Sequence, residues 1–196
     1  MSLNGHEHTY DTSKVQGYDA KLDRIENLIA NQKSTFEKIY QPKVNGYDTP
    51  SFHYDWWLFP VEMPRDQYWS DTAAFYSLNP VRTATLLANE GFVNRYCATL
   101  NLYLLAQTVE WNGYEVRLGK VLLSLIHFIQ ATKNDDKLKS LNSDLVALAR
   151  TSLEVVNHNK LHQDNFPYNA YHQMNHLLSE FQISQDTGPK SKKPIF

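Results

Sequence analysis

The chain has 196 residues, of which 42% are hydrophobic and 20% charged, and this composition excludes a largely disordered protein. A formal net charge of −2 offers no electrostatic attraction to nucleic acid or to an anionic membrane. The single cysteine, Cys97, excludes an internal disulfide, and the N-terminus lacks the basic and apolar regions of a signal peptide. We therefore expect a soluble cytoplasmic protein.

Hydrophobic periodicity predicts helices along most of the chain. Apolar residues spaced by three and four from Leu22 to Ile39 predict a first helix, with Gln32 at the boundary of its buried face. Asn79-Pro80 predicts an N-cap and the start of a long helix over 79–112 that bends at Gly91. Later helices are predicted over 114–133, 145–161 and 168–181, separated by turns at 134–136 and 164–167.

No alternation typical of a β-strand continues for more than four residues. We therefore predict an all-α fold, a single-domain irregular bundle of about six helices. The helical domain is expected over 17–183, with a flexible N-terminus over 1–16 and a flexible basic tail over 184–196.

Residues 52–59 contain five aromatic side chains between Pro50 and Pro60. Adjacent residues of a helix or a strand point in different directions, so Trp56 and Trp57 cannot both face the core. We predict a ligand or partner surface that includes Tyr54, Asp55, Trp56, Trp57 and Trp69. An alternative interpretation assigns the whole cluster to the core, because tryptophan is on average well buried.

Carboxylates next to this cluster could transfer protons, because aromatic rings that desolvate Asp55 or Glu62 raise a carboxyl pKa. The competing interpretation is that Asp55 caps a short helix or pairs with an arginine. Cys97 lies on the apolar side of its predicted helix, where a lone cysteine usually acts as a small inert hydrophobe. The sequence contains no Gly-x-Ser-x-Gly, Walker or Cys-x-x-Cys motif.

Two histidine pairs have the four-residue spacing that places both rings on one helix face: His158 with His162, and His172 with His176. If their helices form an antiparallel hairpin, the four rings could converge on a divalent metal. The competing interpretation is that His162 lies at a helix C-terminus, where an imidazolium is stabilised by the dipole. Neither pair has the carboxylate of a His-Glu-x-x-His motif.

One series of motifs begins with Tyr54-x-x-Trp57-Leu58-Phe59-Pro60 and continues with Ala73-Ala74-Phe75, Arg82 with Leu86-Leu87, and Arg117-Leu118-Gly119-Lys120-Val121-Leu122-Leu123-Ser124-Leu125. Through these motifs, residues 54–126 resemble the conserved region of the opioid growth factor receptor family. The His-Asn pair that usually precedes the last motif is replaced by Asn112-Gly113-Tyr114. The resemblance implies an all-helical domain without established enzymatic chemistry.

Three functional hypotheses follow from the sequence. The first is a non-catalytic domain that binds a protein or a small ligand at the aromatic-rimmed surface and needs no cofactor. The second is a metal-dependent enzyme that uses the paired histidines. The third is a homo-oligomeric structural protein whose exposed stripe from Leu22 to Ile39 pairs with its own copy.

Overall fold

The computed structural model describes residues 21–40, 55–62, 75–106 and 114–186, and side chains within 24–37, 57–62, 75–104 and 118–181. Its helices are α1 (Lys21–Tyr40), the one-turn α2 (Asp55–Leu58), α3 (Pro80–Leu87), α4 (Glu90–Ala106), α5 (Tyr114–Thr132), α6 (Lys139–His158) and α7 (Ala170–Asp186). The described ranges contain six longer helices and no strand, which confirms the predicted all-α fold. The predicted flexible N-terminus, 1–16, lies outside these ranges, as does 187–196 of the predicted tail. The first three residues of that predicted tail, 184–186, instead form the end of α7.

Helix α1 turns its apolar face toward the core. Ile25 and Leu28 are buried, and Gln32 is fully buried instead of lying at the predicted boundary. The Gln32 amide is tolerated there because Nε2 donates to the Phe92 carbonyl at 3.2 Å and Oε1 accepts from Arg95 Nε at 3.0 Å. Over the described side chains, the stripe on α1 is therefore not the exposed surface that the homo-oligomer hypothesis required.

The predicted helix over 79–112 is divided into α3 and α4. Asn79 caps α3 as predicted, with its Oδ1 accepting from the Arg82 N–H at 2.9 Å. The break lies at Ala88 and Asn89, before the predicted bend at Gly91. It occurs there because Asn89 Oδ1 accepts from the Phe92 N–H at 2.8 Å and so starts a new helix.

Helix α5 is central, in agreement with its nearly continuous apolar sequence, and packs against α6 and α7. Its buried side chains include Leu118, Val121, Leu122, Leu125, Phe128 and Ile129. Gly119 allows the chain to approach closely: a Cβ at this position would lie 2.5 Å from Cγ and Cδ of Pro167. Each of the helices α1 to α7 contributes side chains to one buried hydrophobic cluster.

Several helix ends in the C-terminal half differ from the predictions, including that of α7, which runs to Asp186 and not to 181. Helix α6 starts at Lys139 and not near 145, because the 3₁₀ turn Asp136–Leu138, capped by Asp135, leads directly into it. It ends at His158, and Lys160 then has a left-handed φ of 52°. The predicted turn over 164–167 is confirmed as the 3₁₀ turns Gln163–Asn165 and Pro167–Asn169. Among the described helices, none has the length and hydropathy needed to cross a bilayer.

Candidate functional site

The described part of the aromatic segment is an anchor of the core. Trp57 is half-buried, its Nε1 donates to Thr35 Oγ1 at 2.9 Å, and its ring meets Tyr76 edge-on with 5.3 Å between centroids. Tyr54 and Trp69 lie outside the described residues. Asp55 and Trp56 belong to α2, but their side chains are also outside the described set. The predicted surface therefore remains a prediction.

Residues 58–61 follow α2 into the interior, where Leu58 and Phe59 are fully buried. The Pro60 carbonyl accepts from Ser124 Oγ at 2.7 Å, and the Val61 carbonyl accepts from the Leu78 N–H at 3.1 Å. Because the Ser124 hydrogen is directed to Pro60, the Tyr96 hydroxyl donates to Ser124 Oγ at 2.9 Å. These bonds bring the chain back to the surface at Glu62, whose side chain is exposed.

The four predicted metal ligands do not form the expected arrangement. His158 is the last residue of α6 and His162 lies beyond the following turn, so this pair does not share a helix face. His172 and His176 do lie one turn apart on α7, but each is exposed beside its own carboxylate: His172 Nε2 is 3.1 Å from Asp164 Oδ1, and His176 Nδ1 is 3.7 Å from Glu180 Oε1. Within the described ranges, no three His, Cys, Asp or Glu side chains are grouped to hold a metal ion.

A pocket of about 620 Å³ lies between α3, the C-terminal half of α5 and the turn that connects α5 to α6. Among the described residues, the apolar part of the lining is formed by Pro80, Ala84, Leu87, Ala88, Ala131 and Leu138. Polar groups come from Glu62, Thr83, His127, Gln130, Asp135 and Lys137. Apolar walls with a few polar groups are typical of small-molecule sites.

Contacts along α5 show which residues lie at each end of the pocket. Pro60 contacts Ser124, Thr83 contacts His127, and the ring of Phe92 lies 6.1 Å from that of Phe128. The Val61 carbonyl also accepts from the Leu78 N–H just before α3, so Glu62 lies near the start of α3, while α5 runs from Ser124 toward the turn that follows Thr132. Glu62 lies at the end of the pocket where α3 begins, and the turn that carries Asp135 and Lys137 lies at the other end.

His127 and Thr83 join the two helices that form the pocket. Thr83 Oγ1 donates to the Asn79 carbonyl at 2.9 Å and lies 2.8 Å from His127 Nε2. Since the single hydroxyl hydrogen is directed to Asn79, both contacts are satisfied when Nε2 carries the imidazole proton and donates to Thr83. In this tautomer Nδ1 is the acceptor of the ring. Desolvation lowers the pKa of His127 from 6.5 to about 4, so the imidazole is neutral at pH 7.

His127 was not among the residues that the sequence singled out. It lies inside the apolar run of α5, and the available signal was a titratable side chain within an otherwise buried helix. Cys97, which the sequence predicts to be a small inert hydrophobe, is half-buried on α4. Desolvation and then Asp144 raise its thiol pKa to about 11, as expected for an unreactive cysteine.

Comparison of the chain with models of protein families, with curated proteins and with solved structures finds no match. The resemblance to the opioid growth factor receptor family over residues 54–126 therefore stays a prediction from the sequence. The candidate site is defined by its own geometry.

Proposed function

We propose that the chain is a non-catalytic binding domain and that the α3–α5 pocket holds a small organic ligand. The observation that carries the proposal is the pocket itself, about 620 Å³ in volume, with apolar walls and a few polar groups. Ligand sites in proteins have volumes of about 300–1,000 Å³ and the same mixture of linings. The aromatic segment contributes indirectly, because the buried residues 58–61 position Glu62 at the pocket.

The protonation state of His127 favours binding over catalysis. A general base is most effective when its pKa lies near the working pH, whereas the pKa of His127 is lowered to about 4 by desolvation. Its Nε2 is also occupied by Thr83 at 2.8 Å. A neutral imidazole held in one tautomer is well suited to accept a hydrogen bond from a ligand, and poorly suited to remove a proton from one.

A fragment screen followed by amide NMR tests the proposal. Isotope-labelled protein is titrated with small aromatic and aliphatic fragments, and the expected shifts cluster at Thr83, Leu87 and Ala131. Filling the pocket by Ala131→Trp should abolish these shifts. The matched control is Ala147→Trp, at an exposed position on α6 that does not line the pocket. Fragment shifts that map elsewhere, or that survive Ala131→Trp, contradict the proposal.

The proposal includes a cytoplasmic location, supported by the single cysteine of the sequence and its lack of disulfide partners. Fractionation of cells that express the tagged chain tests this part separately. Recovery of the protein in an oxidising compartment contradicts it without affecting the pocket.

A further inference from the structure

We propose that the ligand of the α3–α5 pocket is an organic cation, a protonated amine attached to an apolar body, and that Glu62 recognises its ammonium group. This inference rests on the proposed function and specifies the chemical class of the ligand.

Side-chain charges, more than the ends of the helices, set the charge of the ligand that the pocket favours. The pocket is lined at both ends of α3, by Pro80 at its start and Leu87 at its end. The C-terminus of α5 and the N-terminus of α6 both lie next to the connecting turn. The helix end beside Glu62 is the positive N-terminus of α3, where the Arg82 and Thr83 N–H groups already donate to Asn79, so two of its first-turn donors are satisfied within the protein.

Among the lining residues that the structure describes, the charged side chains sum to −1. Glu62 and Asp135 contribute two negative charges and Lys137 contributes one positive charge, while His127 is neutral. Asp135 and Lys137 lie in the same turn, where Asp135 Oδ1 accepts from the Lys137 backbone N–H at 2.9 Å. These two residues carry opposite charges within one turn, so among the described lining residues the remaining charge is that of Glu62.

The neighbouring groups at the Glu62 end are acceptors suited to an ammonium group. The carboxylate of Glu62 supplies two oxygens, and one turn along α5 the Nε2–H tautomer of His127 keeps Nδ1 as an acceptor. An ammonium has three donors and no acceptor, so it matches this set better than a hydroxyl or a carboxylate does. Beyond this end, Ala84, Leu87 and Ala131 provide an apolar wall for the body of the ligand.

A carboxylate ligand fits the pocket less well. At the α3 start it would face Glu62, and at the opposite end its attraction to Lys137 is opposed by Asp135. Like charges placed together disfavour binding, and an exposed lysine offers only a weak attraction. The lining thus selects against anions as well as for cations.

The test uses three probes with the same phenylethyl framework and different charge: 2-phenylethylamine, 2-phenylethanol and phenylacetate. Each is titrated into the full-length chain at neutral pH and low salt, and affinity is read from amide shifts at the pocket. We expect the amine to bind about three- to tenfold more tightly than the alcohol, as for a partly exposed charged contact. Phenylacetate should bind most weakly, and added salt should reduce the advantage of the amine.

Two variants assign the effect to Glu62. Glu62→Gln keeps the shape of the side chain and should equalise the affinities of the amine and the alcohol. Glu154→Gln, at an exposed position on α6 outside the pocket, should preserve the wild-type order. Because both positions are exposed, neither variant is expected to affect folding.

The possible failures are distinguishable. If none of the three probes shifts the pocket amides, the proposed binding function is contradicted together with the ligand class. If the alcohol or phenylacetate binds at least as tightly as the amine, the pocket binds small molecules but the cationic ligand is wrong. A preference for the amine that persists in Glu62→Gln overturns the role of Glu62.

Discussion

Acidification is expected to destabilise this protein through His127. Desolvation lowers the pKa of His127 from 6.5 to about 4 in the folded chain. At 1.36 kcal/mol per pKa unit, the difference corresponds to about 3 kcal/mol. The folded pKa lies below the unfolded one, so the unfolded chain binds the proton more readily. The contribution is therefore fully present above pH 6.5 and is lost as the pH falls toward 4.

Urea unfolding of the wild type and of His127→Gln measures this contribution. A glutamine amide can donate to Thr83 in place of Nε2–H but does not titrate. Between neutral pH and about pH 4.5, the wild type should lose about 2–3 kcal/mol more free energy of unfolding than His127→Gln does. Other acidic and basic groups are common to both chains, so their effects cancel in the difference.

The outcome that would refute the reasoning is a parallel fall in the stability of the two chains with pH. A direct NMR titration of the His127 ring gives an independent check. A midpoint near 6.5 would mean that the ring is solvated and that the Thr83 contact does not isolate it from water. A midpoint well below 6 supports the burial on which the neutral imidazole depends.

Three further substitutions probe the interior and are read by urea unfolding. Gln32→Ala should lower the free energy of unfolding by about 2–3 kcal/mol, because it leaves the Phe92 carbonyl and Arg95 without this partner. The control Lys33→Ala, at an exposed position, should change stability little, and equal effects would contradict the buried amide network. Ser124→Ala should cost about 1–3 kcal/mol, since it removes a fully buried hydroxyl that bridges two segments, and an unchanged midpoint would show that the bridge is absent. Gly119→Ala should cost about 1–3 kcal/mol by collision with Pro167, and a neutral or stabilising effect would contradict the close approach.

Periodic apolar residues were sufficient to predict the helices, because burial of one face is what stabilises a helix in a folded chain. The cap at Asn79 was equally readable, since it depends on residues three positions apart. Gln32 was misplaced because its partners lie about 60 residues away in α4. A local pattern contains no information on such distant partners.

The pocket could not be predicted for the same reason. Its two main walls meet through Thr83 and His127, which are 44 positions apart. His158 and His162, by contrast, had a suggestive spacing but lost their common face because α6 ends at His158. Spacing predicts proximity only while a helix continues, and the residues around His158 contain no strong stop signal.

The buried path of residues 58–61 has a consequence for the kinetics of recognition. Two hydrogen bonds to backbone carbonyls, from Ser124 to Pro60 and from Leu78 to Val61, hold the backbone that carries Glu62 before any ligand arrives. A preorganised receptor pays little ordering entropy on association. Binding should then occur in a single step without a slow rearrangement. The observed rate constant from stopped-flow mixing with an amine probe should therefore increase linearly with probe concentration and should not saturate.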